Sequence, residues 1–319
     1  MKKTLLMLLA AAIVGAGVTP TDVEAATGKK SVRASKHVKH VKHVKHVRHV
    51  RHGRHARNAS LGDPQHLALQ SSAVLVQDQA TGAVLFEKNS NAVLPIASIS
   101  KLMTAMVVLD AQPNLKEMLT IGDEDVDTLK GTRSRLKVGT QLTREEMLRL
   151  ALMSSENRAA SALSRHYPGG RPAFVAAMNA KTRALGLNDT HFEDSTGLTA
   201  ANVSSPRDLA KMVDAAHQYP LIREFSTTAE EEITIAGRPQ QFHNTNTLVR
   251  NSNSSWDIGL SKTGYINEAG KCLVMQAWIN SKPVIIVLLD SLGKMTRIGD
   301  ANRIKRWVET ASLPRPVAG

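Results

Sequence analysis

Three short groups of residues could do chemistry, and they follow one another in a telling order. Ser98-Ile99-Ser100-Lys101 is an S-x-x-K, Ser155-Glu156-Asn157 is an S-x-N well downstream of it, and Lys262-Thr263-Gly264 is a K-T-G further on again. Residues at i and i+3 share one face of a helix, so there the Lys101 amine reaches the Ser98 hydroxyl. A lysine desolvated beside that hydroxyl has a lowered pKa and can take its proton, which makes the serine a nucleophile. A helix N-terminus at the same place adds N–H donors and a positive dipole for an oxyanion. Taken alone, the S-x-x-K reads more simply as a capping serine followed by a surface lysine. The weight lies in the three groups together and in their order.

The elements that must hold these groups can be read from pattern. Ser72 to Gln77 and Ala83 to Lys88 are apolar-rich runs joined by a turn with Thr81-Gly82, which predicts a β-hairpin. Ser98 to Leu109 is apolar almost all round, as a helix buried in a core would be. Thr143 and Glu146 form a capping box before a helix ending near Met153, Pro172 starts a helix that Gly186 ends, and Ser205-Pro206 starts a third. Beyond residue 220 strands return at 232–236, 259–266, 271–279 and 283–290, with Asn280-Ser281-Lys282 as a hairpin turn and a closing helix at 296–310. The order strands, helices, strands, helix predicts an α+β architecture. An antiparallel sheet is built from both ends of the chain around an all-helical insert, with a cleft where the two meet.

Three motifs in this order resemble those of the penicillin-recognising serine acyl-enzymes. The surrounding residues narrow the likeness. Leu94-Pro95-Ile96-Ala97 before Ser98, Leu152-Met153-Ser154 before Ser155, His166-Tyr167-Pro168-Gly169-Gly170, Thr263-Gly264-Tyr265 and Gly270 to Met275 resemble the D-alanyl-D-alanine endopeptidases of the penicillin-binding protein 7 type. The likeness spans about residues 65 to 312. It implies a β-lactamase/transpeptidase-like α/β fold and an acyl-enzyme hydrolase acting on D-Ala cross-links of peptidoglycan peptides, with β-lactam antibiotics as covalent inhibitors. It further implies Ser98 as nucleophile, Lys101 as its base and Ser155 as proton relay. Asn157, Lys262, Thr263 and Gly264 would bind substrate, and the backbone N–H groups of Ser98 and Tyr265 would form the oxyanion hole.

Composition adds an address. The formal charge is +13, yet the segment 26–58 alone holds eleven Lys and Arg and no acid, and the segment 1–25 is neutral in sum. The remaining body is nearly neutral, so the basic balance argues against nucleic-acid binding by the folded part. Met1-Lys2-Lys3, the apolar run Leu5 to Val18 and Val23-Glu24-Ala25 read as a secretory signal peptide over residues 1–25. This places the protein in the periplasm. Residues 26–60 read as a disordered, basic, His-rich tether in which a basic residue, a His and a small or apolar residue repeat, suited to loose contact with anionic envelope polymers. Metal capture by that run is the weaker alternative, because its spacing is repetitive rather than closed. Residues 61–319 form the peptidase domain. Neither a metal nor an organic cofactor is expected, since nucleophile, base and oxyanion donors all come from the chain.

Rival functions are separable on sequence. A D-Ala-D-Ala carboxypeptidase of related type carries a further β-rich domain and a membrane-binding helix. Here the stretch after Gly264 is used by two strands and one helix, and it ends in Pro314-Arg315-Pro316. A class A-like β-lactamase needs a carboxylate in an E-x-x-L-N sequence, which does not occur; Glu193 and Asp194 sit instead in a loop that resembles the peptidases. A non-catalytic envelope-binding protein would not require all seven motif residues. Cys272, the single cysteine, is expected as a buried strand residue.

Overall fold

The computed structural model describes residues 67–311. The expected leader (1–25), the basic segment (26–60) and the Pro-containing end lie outside the described residues. The chain opens with β1 (Ser71–Asp78) and β2 (Val84–Lys88), and the short β3 (Leu94–Pro95) leads into a 3-10 turn, Ala97–Ser100, and α1 (Lys101–Asp110). A small ribbon of β4 (Met118–Thr120) and β5 (Gln141–Thr143) precedes α2 (Arg144–Met153), α3 (Asn157–Arg165) and α4 (Gly170–Ala184). Next come β6 (Val203–Ser204), α5 (Pro206–His217), α6 (Pro220–Thr227), β7 (Glu230–Ile235), β8 (Arg238–His243) and α7 (Thr247–Arg250). The chain finishes with β9 (Asp257–Ile266), β10 (Gly270–Ile279), β11 (Lys282–Ser291) and α8 (Thr296–Ala311).

The main sheet has the order β2-β1-β11-β10-β9 and is antiparallel throughout. The first strand therefore pairs with the last: Ser71 lies opposite Ser291 and Asp78 opposite Val284. The sheet is assembled from both ends of the chain, as the pattern predicts, and the helices between fill one side of it. Both faces are covered, which is why β10 and β11 read as unbroken apolar runs. Cys272 and Val274 enter the larger core with the helical insert, while Leu273 and Met275 enter a second core with Ile298, Ala301 and Ile304 of α8. Cys272 is fully buried, and that burial pushes its thiol up to about 11.

Inside the larger core α1 is buried from Lys101 to Val108. Its neighbours are placed by local chemistry. Thr143 and Glu146 close the capping box at the head of α2, with Glu146 N donating to Thr143 Oγ1 over 3.2 Å and Thr143 N donating to Glu146 Oε2 over 2.7 Å. Such a cap is worth about 1 kcal/mol and fixes where α2 begins, hence where its far end delivers Ser154 and Ser155. Ser205 caps α5 and Pro206 occupies its first position. Asn280 and Ser281 both take positive φ (51° and 63°), the two-residue turn that joins twisted strands.

Three boundaries differ from the sequence pattern. The buried helix starts at Lys101, because Ala97 at φ 49° breaks the helical path and leaves Ser98 on a 3-10 turn. The helix expected from Pro172 starts at Gly170; Gly169 and Gly170 take positive φ there, and proline within a first turn forfeits no helical bond. The strand expected at 232–236 runs from Glu230 to Ile235 and pairs with β8, whose polar, proline-containing sequence Arg-Pro-Gln-Gln-Phe-His carries no strand pattern.

Candidate active site

The structure brings Ser98, Lys101, Ser155, Asn157, Lys262, Thr263 and Gly264 to one cleft between β9 and the helical insert, although they come from four separate elements. The 3-10 turn holds Ser98, the head of α1 holds Lys101, the α2–α3 junction holds Ser155 and Asn157, and β9 holds the K-T-G. In a 3-10 turn residues at i and i+3 eclipse one another, which aligns Lys101 under Ser98 more directly than an α-helix does. Lys101 Nζ lies 2.8 Å from Ser98 Oγ.

The remaining neighbours of that amine decide what it can do. Lys101 Nζ donates to Asn157 Oδ1 over 2.8 Å and to the Thr196 carbonyl over 2.6 Å. Both partners are acceptors only, whereas the Ser98 hydroxyl can give or receive. As an ammonium, Lys101 satisfies all three. As a neutral amine it keeps two N–H donors for the carbonyl oxygens, and its lone pair is left facing Ser98 Oγ–H. Burial pushes the Lys101 amine down to about 7, against the opposing charges of Asp194 and Glu156, which brings its neutral form within reach near neutral pH.

Lys262 is the second buried amine. Its Nζ donates to Ser155 Oγ over 2.9 Å and to the Thr263 carbonyl over 2.9 Å. Burial, then the charges of Lys101 and Arg297, hold it well below the ordinary lysine range. Ser155 itself sits at φ 61°, a left-handed conformation that costs of order 1 kcal/mol or more in a non-glycine residue. Thr263 Oγ1 donates to Thr245 Oγ1 over 2.6 Å. Gly264 is tolerated where nothing larger would be: a Cβ there would stand 2.8 Å from Ile96 O and 3.2 Å from Ser98 N. That contact sets β9 against the turn that carries Ser98 and brings in Tyr265, half-exposed, next along the strand.

Sequence reasoning gave no role to several residues that the structure places here. Thr132 accepts from Asn157 Nδ2 over 3.0 Å and donates to Asp127 Oδ2 over 2.6 Å, which turns Asn157 Oδ1 towards Lys101. Arg297 Nη1 donates to the carbonyls of Gly264 (3.0 Å) and Cys272 (3.1 Å), tying α8 to the strand that carries the K-T-G. The Asp194–Asn202 loop supplies the Thr196 carbonyl, and only Gly197 within it could have marked a close approach. None of the three carries a spacing signal, since each acts across the fold. Among the described residues no helix is long and apolar enough to cross a membrane.

Comparison with known proteins identifies the family and the fold. The sequence profile of the D-alanyl-D-alanine carboxypeptidase family matches residues 60–293. The D-alanyl-D-alanine endopeptidase of Pseudomonas aeruginosa is 50% identical over 256 residues, 79% of this chain and 81% of that protein. Its namesake from Escherichia coli is 48% identical over 253 residues, 78% of this chain and 81% of that protein. The crystal structure of the Streptomyces K15 DD-transpeptidase superposes with a TM-score of 0.69 at 30% identity, over 75% of this chain and 97% of that one, so the fold is the transpeptidase-like one that the motifs imply. A profile match over most of the chain and relatives near half identity leave one assignment: the chain belongs to the D-alanyl-D-alanine carboxypeptidase family of serine peptidases.

Proposed function

We propose that this enzyme is a D,D-endopeptidase that cuts D-Ala cross-links of peptidoglycan through an acyl-enzyme on Ser98. The observation that carries the reading is the 2.8 Å contact between Lys101 Nζ and Ser98 Oγ, with both other partners of the amine acceptor-only. Lys101 takes the Ser98 proton as Oγ attacks the D-Ala carbonyl. The oxyanion that forms is held by the backbone N–H groups of Ser98 and Tyr265, and Ser155, hydrogen-bonded to Lys262, relays a proton to the leaving amine. Water then hydrolyses the ester. Asn157 and Thr263 bind the substrate backbone and carboxylate, and Gly264 lets the substrate strand lie close beside β9. The endopeptidase assignment rests on relatives at 48–50% identity that bear that name, over a carboxypeptidase as the second reading.

The same chemistry makes β-lactams acylating inhibitors, because a strained lactam carbonyl presents the same electrophile. The domain layout belongs to this reading too: residues 1–25 direct export to the periplasm, 26–60 form the basic tether to anionic envelope polymers, and 61–319 form the catalytic domain. Intact-mass spectrometry after incubation with benzylpenicillin should show a stable adduct that Ser98→Ala abolishes. Digestion of cross-linked muropeptides then separates cross-link cleavage from release of terminal D-Ala. An unmodified wild-type protein with the antibiotic intact would overturn the reading.

A further inference from the structure

The carbonyl of Thr196 is one of three partners of the Lys101 amine, and it stands on a loop that one carboxylate holds. Asp194 Oδ1 accepts from Thr196 N over 2.8 Å and from Gly197 N over 2.5 Å, and Oδ2 accepts from Thr199 N over 3.1 Å. Three backbone N–H groups converging on one anion fix the direction of the carbonyls between them. Asn202, fully buried, locks this arrangement to the nucleophile. Its Oδ1 accepts from Glu193 N (2.8 Å) and Asp194 N (3.1 Å), while its Nδ2 donates to Asp194 O (3.0 Å) and Asp194 Oδ1 (3.1 Å). The same Nδ2 donates to Ser100 Oγ over 2.9 Å, and Ser100 Oγ donates in turn to the Ala97 carbonyl over 2.8 Å. The Asn202 carbonyl accepts from Ile96 N over 3.0 Å. One residue thus ties the loop bearing the Thr196 carbonyl to both ends of the turn bearing Ser98.

We infer that Asp194 and Asn202 are positioning residues for acylation: together they aim the Thr196 carbonyl at Lys101, so that the free direction of that amine faces Ser98 Oγ. The inference rests on the acyl-enzyme reading above. An amine with two acceptors correctly placed has one direction left for its lone pair, and that direction is Ser98 Oγ. Were the Thr196 carbonyl to swing away, the lone pair would have two directions and the serine only a share of it. Charged and polar groups reach Lys101 from every element around it: Asp194 from the loop, Glu156 and Asn157 from the head of α3, and Lys262 from β9. Of the two carboxylates Asp194 exerts the larger effect.

The test is the second-order rate of acylation by benzylpenicillin, followed from pH 5 to pH 9 in the full mature chain. Asp194→Asn keeps the shape and removes the charge. Its rising limb should move at least about half a pH unit towards acid, with a plateau about tenfold lower. Asn202→Ser keeps the carboxylate and removes the tether, so its limb should stay and its plateau should fall about tenfold. A lowered plateau with an unmoved limb in Asp194→Asn would mean that the residue supports only the loop's fold, which overturns the inference. If Asp194→Asn does not fold, Asn202→Ser decides alone, and a wild-type plateau there overturns it. A wild-type protein that is never acylated sinks the functional reading and this one together, whereas normal acylation in wild type and both variants sinks this one only.

Discussion

Gly197 stands against Ala97 with no space between them: a Cβ at position 197 would lie 2.0 Å from the Ala97 carbonyl oxygen and 2.8 Å from Ser98 N. Gly197 also has φ +79°, so a side chain there would be strained twice. Gly197→Ala should cost at least about 2 kcal/mol in urea unfolding. It should also slow acylation far more than the stability loss explains, because the group displaced is the turn that carries Ser98, the proposed nucleophile. A variant with normal acylation and lowered stability would show that the turn yields without harm.

The pH dependence of acylation follows from Lys101. In the proposed mechanism its neutral form is the base, and burial holds it near 7, so the rate should rise from pH 5 and level off above about 7 to 8. The same shift has a sign for stability. The folded amine is depressed from 10.5, so the unfolded chain binds more protons between about 7 and 10.5, and this group's contribution improves as pH rises through that window. A flat acylation profile from pH 5 to 8 would count against Lys101 as base.

Asn157→Asp puts a carboxylate where a neutral oxygen now lies 2.8 Å from the Lys101 amine. The added charge favours the ammonium by about 1 pH unit or more, so the limb should move towards alkali and activity at pH 7 should fall at least about tenfold. An unmoved limb would mean that residue 157 does not face the amine in solution.

Asp125 lines the same cavity as Asn157 and Thr196 and holds the helical insert together there. Its fully buried carboxylate accepts from Arg165 Nη2 (2.7 Å), Arg171 Nη2 (2.9 Å), Ser161 Oγ (2.8 Å) and Gly122 N (2.8 Å), joining the segment after β4 to α3 and α4. Burial works against the charge, but the bonds from Arg165, Gly122 and Ser161 hold it below the usual carboxylate range. Its contribution is therefore present above about 3.8 and is lost as pH falls through the folded value. Asp125→Ala should cost about 2 to 3 kcal/mol, since it removes the buried acceptor shared by Arg165, Arg171, Ser161 and Gly122, while the two guanidinium groups keep the carbonyls of Thr120 and Glu124; a loss near zero in thermal unfolding would refute the accounting.

How far the sequence could be read depended on distance along the chain. Ser98 and Lys101, or Lys262 and Gly264, are neighbours whose types and spacing carry their chemistry, and β10 and β11 show their burial on both faces as apolar runs. Thr132 acts on Asn157, Asn202 on Ile96 and Arg297 on Gly264, all remote in sequence, and as single polar residues in loops or at a helix start they look like any others. The turn at Ala97 was hidden for a related reason: an ordinary alanine carries the positive φ, and the close approach of Gly197 that accompanies it comes from a residue a hundred positions away. Of the β7–β8 ribbon only the second strand escaped the pattern, because Pro239 and two glutamines stand where strand residues would.

The pairing of β1 with β11 has a consequence in time. A chain synthesised from its N-terminus has made Ser98, Lys101, Ser155 and Asn157 long before the partner of its first strand, Lys282–Ser291, exists. Until then β1 has only β2 beside it, and β9 lacks the β10–β11 ribbon that joins it to the rest of the sheet. The sheet that presents the K-T-G beside Ser98 is thus completed only when the last strand takes its place, a long-range pairing of the kind that slows folding.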